Sequence, residues 1–297
     1  MARAVIAGAV CAAAVAGMLT PAEAAVPDLS GFWARTTFGM EPPASGQGPI
    51  QPMNRRRADG SRIDSPQFNV GDDSSPILKP AAAAAVRKRN EMQRQGVDYP
   101  SPSNQCTPMI APYAFRVQGM QVLQTKDEVM FLYMQDHQVR HVRLNAQHPA
   151  KVAPAWWGDS VGHFEGDTLV VDTVGFKVGR VAQLDQYGSP YSQDLHVIER
   201  YSLVDYEVAR AAQERNVRAN GGVATEQAAA IDLNYKGKGL QVQFTVDDKN
   251  YFTSVWGGAA TYRKAGSEWV ENVCAENTHE YYNNGSTKVP EAERPDF

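Results

Sequence analysis

Ionisable residues crowd into one short stretch, residues 158–176, which reads GDSVGHFEGDTLVVDTVGF. Taken as two extended segments around Gly166-Asp167, the first places Asp159, His163 and Glu165 on one face, because side chains alternate along a strand. A neighbouring carboxylate raises an imidazole's pKa toward the range useful for proton transfer. His163 is therefore a candidate general base or acid, oriented by Asp159 or Glu165. The same residues also fit a structural arrangement, in which Gly166-Asp167 makes a hairpin turn and Glu165 and Asp172 bond backbone groups beside it.

A second constellation lies in SQDLHVIERY, residues 192–201. In an extended strand His196 and Arg200 share a face and Glu199 faces the other way. His196 is a second catalytic candidate. Arg200 can hold an anionic or phenolate oxygen, or pair with Glu165, Asp172 or its neighbour Glu199. His148, just before Pro149, precedes Trp156-Trp157. That grouping suits a pocket mouth in which rings stack on a planar ligand, with Tyr133 as a phenol donor.

Other chemistries lack their signatures. No H-E-x-x-H, C-x-x-C or EF-hand spacing supports a metal site, and a nitrogen/oxygen site from His163, Glu165 and His148 or His196 has no motif behind it. The H-x-E at 163–165 lacks the P-C-x-x-C of a zinc deaminase. Neither Ser160 nor Ser192 sits in a G-x-S-x-G elbow. No glycine-rich dinucleotide fingerprint joins a strand to a helix, so the expected cofactor is none.

The elements that must position these residues follow from texture. Arg3, an apolar alanine-rich run and Ala22-Glu23-Ala24 describe a secretory signal peptide over residues 1–24, with no second stretch long enough to anchor the chain in a membrane. The net charge is −4, which argues against nucleic acid as a partner. Beyond the leader only Cys106 and Cys274 remain, and an isolated pair in an oxidising compartment reads as a disulfide. Gly31-Phe32-Trp33 opens a strand in the manner of the G-x-W of lipocalin-type barrels, with Arg263 as the late residue packed across the Trp. A long Gly/Pro-rich loop holds Arg55-Arg56-Arg57 as a solvated run. Pro80 then starts a helix that stops at Gly96 and is polar enough on most faces to lie on the surface.

From residue 115 the texture is β. Short β-branched and aromatic runs at 121–124, 128–135, 139–145, 160–165, 168–174, 195–204, 230–235, 240–247 and 251–264 are separated by turn residues. Several are apolar on both faces, as in Val129–Met134, which suits a closed barrel. Residues 206–227 read as a helical insertion, and residues 283–297 as a loose tail.

The motifs also resemble a large family of secreted or periplasmic bacterial β-rich proteins. Its marks are P-x-L-[ST]-G-x-W, G-x-[WF]-E-G-D-T-L-V-V-D-T, L-h-V-x-E-R-Y and C-x-E-N, here at residues 27–33, 162–173, 195–201 and 274–277. Phe164 stands where that family usually has Trp, and the stretch at 206–227 replaces a shorter link. The resemblance implies a compact β-rich secreted domain and no particular reaction.

These observations predict a mainly β protein: an antiparallel barrel, lipocalin-like or a related meander, with one or two peripheral helices, the barrel core spanning 115–282. The expected function is a periplasmic, cofactor-independent lyase, dehydratase or isomerase acting by acid–base chemistry on an apolar or aromatic small molecule, such as a lignin-derived aromatic that loses a small aldehyde. The alternative is a non-catalytic, lipocalin-like carrier of a hydrophobic ligand.

Overall fold

Nine strands in chain order close into one barrel in the computed structural model, which describes residues 26–35, 39–52, 70–97, 99–115, 119–134, 137–219, 231–266 and 274. They are β1 (Gly31–Ala34), β2 (Met120–Gln124), β3 (Glu128–Tyr133), β4 (Gln138–Leu144), β5 (Asp159–Glu165), β6 (Thr168–Val174), β7 (His196–Val204), β8 (Gly239–Asp247) and β9 (Trp256–Lys264). The helices are α1 (Pro80–Arg94) and α2 (Tyr206–Ala219), of which α2 packs on β8 and β9. The expected signal peptide, the tail and Arg55–Arg57 fall outside the described residues, as does the end of the expected helical insertion.

Local sequence explains most of the hairpins. Gly166 opens the two-residue loop between β5 and β6 with φ +63°, the left-handed value that glycine adopts without strain. All neighbouring strands pair antiparallel except β4 and β5, which run parallel with Arg143 opposite Val161. A parallel step needs a long return connection, and residues 145–158 provide it. Two expected strands are shorter or missing. Residues 231–235 turn instead, because Asp232 Oδ1 accepts the backbone N–H groups of Asn234 and Tyr235, leaving one isolated bridge from Ile231 to Ala265. Residues 251–255 also turn: the Asp248 carbonyl accepts the N–H groups of Tyr251 and Phe252, and Phe252 bridges to Leu78.

Closure depends on β1, which pairs with β2 on one side and β9 on the other. Trp33 is buried there, its indole N–H donating to the Leu29 carbonyl at 2.9 Å. The cation over its ring is Lys264, 5.1 Å from the centroid, and not the expected Arg263, whose guanidinium packs on Tyr206. Register decides this, since Lys264 is directly opposite Trp33.

Inward-facing side chains fill the lumen. Phe131 stacks on Tyr201 with centroids 4.7 Å apart, Phe115 packs on Phe244, and Trp256 meets Phe244 and Phe252 edge-on. Each such buried side chain contributes roughly 1.5–3 kcal/mol through removal of apolar surface from water. Helix α1 adds Ala82 and Val86 to the same core. Its polar pattern predicts a surface helix, yet Arg89, Asn90 and Gln93 are also buried. Two of them satisfy loop backbone: Asn90 bonds both polar groups of Gly71, and Arg89 Nε donates to the Gln186 carbonyl. Cys106 and Cys274 form a disulfide, with Cα atoms 5.4 Å apart across a sequence separation of 168.

Candidate functional site

Alternation sorts the candidate residues between the inside and the outside of the wall. On β5, Ser160 and Gly162 face the lumen, while Asp159, His163 and Glu165 face out. On β7, Glu199 and Tyr201 face in and His196 and Arg200 face out.

The lumen side holds a polar centre among the rings. Arg140 Nη1 donates to both carboxylate oxygens of Glu199, at 3.0 and 2.8 Å. Its Nη2 donates to Thr173 Oγ1 at 2.7 Å and its Nε to Ser160 Oγ at 3.1 Å. Tyr201 donates its hydroxyl to Glu199 at 3.1 Å. Burial alone would lower the Arg140 pKa, but the facing Glu199 carboxylate more than offsets it and holds the guanidinium charged. Glu199 therefore pairs with Arg140 rather than with Arg200, which the pleat sends to the other side. Tyr133 lies against this centre, and burial pushes its phenol up to about 12. The Trp157 ring stacks on Tyr133 at 4.5 Å and 3°, its N–H bonded to Gln138, and the Arg140 guanidinium lies 5.6 Å from the same ring. Trp157 and Tyr133 thus stack on each other, while Trp156 packs under the Lys177 ammonium at 5.1 Å.

The outer side carries a chain of imidazoles and carboxylates. His196 Nε2 is 2.8 Å from Asp172 Oδ1. His148 reaches the same oxygen with its Nε2 at 3.3 Å, and places its Nδ1 2.6 Å from Asp159 Oδ1. Arg143 then grips Asp159 with bonds of 2.8 and 2.9 Å to its two oxygens. Asp172 bonds two histidine side chains from other segments rather than the backbone beside its own turn. It points outward beside them because it is two residues along β6 from outward-facing Val170.

The return connection supplies both sides. It ends at Gly158, whose φ is +63° and where an added Cβ would lie 2.4 Å from the Val174 carbonyl oxygen. Only glycine fits there, and at that residue the chain passes from inward-packed Trp157 to outward-facing Asp159.

The remaining candidates form a separate group. His163 Nε2 lies 3.2 Å from Glu165 Oε1, and Arg200 Nη2 donates to Glu165 Oε2 at 2.6 Å. The Arg200 guanidinium, then the His163 ring, hold the Glu165 carboxyl below its ordinary value. His163 and His196 are not brought together. His163 is level with Val170 and Arg200, four residues from His196 on β7, or about 13 Å at the strand rise. Comparison of the chain with protein-family models, curated proteins and solved structures found no match. The site is therefore judged on its own geometry.

That geometry separates the two histidines of the outer chain. Both nitrogens of His148 face carboxylates. His196 keeps Nδ1 free of any protein partner among the described residues, on a side chain 36% exposed. Among the described residues no three His, Cys, Asp or Glu side chains are placed to hold one metal ion. Local spacing contained no sign of Arg140, Ser160 or Thr173, because their partners come from other strands.

Proposed function

We propose that the protein is a periplasmic or secreted enzyme that moves a proton on an apolar or aromatic small molecule, in a lyase, dehydratase or isomerase step without a cofactor. The observation that carries this reading is His196, held through Nε2 by Asp172 and open at Nδ1. With Nε2–H donating to the carboxylate, the lone pair sits on Nδ1, the arrangement of a general base. His196 Nδ1 would take a proton from carbon; the electron pair left behind forms a double bond as the leaving group departs, and the imidazolium returns its proton to that group. Asp172 stabilises the imidazolium, and His148, bridging Asp172 to Asp159, fixes the carboxylate in place. The Cys106–Cys274 bond accords with an oxidising compartment.

A carrier of lipocalin type would need room in the lumen, and Phe131, Tyr201, Phe244 and the Arg140–Glu199 pair occupy it. The packed interior therefore favours chemistry on the wall. Incubating purified protein with mixed small aromatics should deplete one of them. His196→Ala and Asp172→Asn should each slow that depletion by about 10²–10⁴-fold, with unchanged circular dichroism. Full activity in His196→Ala would overturn the proposal.

A further inference from the structure

His148 reaches the wall from the return connection, and carboxylates meet both of its ring nitrogens. The connection is tied down on either side of it: the Asn145 N–H donates to the Gly162 carbonyl at 2.7 Å, and the Ala155 N–H to the Gly175 carbonyl at 3.1 Å. The ring lies between Asp159 on β5 and Asp172 on β6. The other charged and titratable groups around it are Arg143 from β4, bonded to Asp159, and His196 from β7, with Asp247 on β8 opposite His196. On its own segment the nearest charge in sequence is Lys151, which is exposed.

A histidine donates from both nitrogens only as the imidazolium. The neutral ring keeps one N–H and presents a lone pair at the other nitrogen. The two contacts of His148 are unequal. Nδ1 is 2.6 Å from Asp159 Oδ1, whereas Nε2 is 3.3 Å from Asp172 Oδ1, an oxygen that His196 Nε2 approaches at 2.8 Å. The shorter contact keeps its proton, so deprotonation removes the Nε2–H and leaves a lone pair facing the Asp172 carboxylate. His196 takes the opposite tautomer, with Nε2–H on Asp172 and Nδ1 open. We propose that the proton on His148 Nε2 regulates His196: while it is bound, Asp172 is divided between two imidazoles, and its departure leaves Asp172 to His196 alone. An undivided carboxylate with no second cation beside it stabilises the His196 imidazolium more, which makes His196 the stronger base. This regulation rests on the reading of His196 as the general base, and it makes His148 a positioning residue that acts through Asp172.

Ring-nitrogen NMR of the full chain from about pH 5 to 9, the range over which imidazoles change charge, tests this without a substrate. His148→Ala and His196→Ala assign the two rings. At high pH His148 should keep Nδ1–H and His196 should keep Nε2–H. In His148→Ala the titration midpoint of His196 should rise by about half a unit, roughly threefold in proton affinity, the effect of one neighbouring charge at a partly exposed site. In Asp159→Asn, which keeps the His148 ring, the neutral ring should move its proton to Nε2, toward the one carboxylate left. The same tautomer for both rings in the parent, an unmoved His196 midpoint in His148→Ala, or an unchanged His148 tautomer in Asp159→Asn would overturn the inference. The expected coupling without turnover of any aromatic would uphold the shared Asp172 and count against the proposed function alone.

Discussion

Arg140 on β4 and Glu199 on β7 meet inside the lumen, three strands apart around the wall, with Nη1 bonded to both carboxylate oxygens. Neither side chain is more than 1% exposed. A pair this deep specifies how the two strands face each other, because each charge has its hydrogen bonds met only in that arrangement.

Breaking the pair should be costly. Arg140→Met leaves Glu199 buried without its cation, and Glu199→Leu leaves Arg140 without its anion. Each should lose about 3–5 kcal/mol in denaturant unfolding, while the double change Arg140→Met with Glu199→Leu should lose less than either single change. Additive losses in that cycle would contradict a mutual dependence.

Alkali should unfold the barrel over a defined window. Burial pushes Tyr133 up to about 12, and raises Tyr201, Tyr262 and Tyr191 as well. The folded chain thus keeps phenolic protons that the unfolded chain releases near pH 10. The folded state then binds more protons, and stability, complete below pH 10, falls as pH rises toward 12. Tyr133 alone accounts for on the order of 3 kcal/mol. Tyrosinate absorbance at 295 nm should show these residues titrating together with loss of near-ultraviolet circular dichroism. Their titration near pH 10 in a still-folded protein would count against the burial described.

Reduction of Cys106–Cys274 should cost about 2–5 kcal/mol, since the bond closes a long loop of the unfolded chain. The reduced protein should unfold at a lower urea midpoint than the oxidised one. Identical midpoints would show that the bridge contributes nothing.

Gly158→Ala should destabilise both faces of the wall. Its Cβ would meet backbone, the Val174 carbonyl, which cannot rotate away. We expect a loss of roughly 2 kcal/mol or more, together with weaker quenching of Trp157 fluorescence as its stack on Tyr133 loosens. Wild-type stability in this variant would show that the turn can relax.

Much of this architecture is written in local pattern. Alternation correctly groups Asp159 with His163 and Glu165, and His196 with Arg200, and it separates Glu199 from Arg200. Alternation does not say which face turns inward. Val161 is buried although it shares the outward face of His163, so apolar residues occur on both sides of β5. The partnerships that build the site are less legible still. Asp172 collects His196 from the next strand and His148 from a loop more than twenty positions earlier, and Arg140 finds Glu199 across the lumen. Such contacts depend on strand order and stagger, which a single strand does not encode.

Closure of the wall between β1 and β9 also has a consequence for synthesis. Trp33 can meet Lys264 only after nearly all of the barrel's chain has been synthesised, since those two residues lie close to opposite ends of it. The adjacent hairpins β2–β3, β5–β6 and β8–β9 can form early from neighbouring residues, whereas this seam joins the most distant contacts in the wall and adds to a slow, high-contact-order fold. A nascent chain emerging N-terminus first would hold β1 as an unpaired edge until its partners arrive.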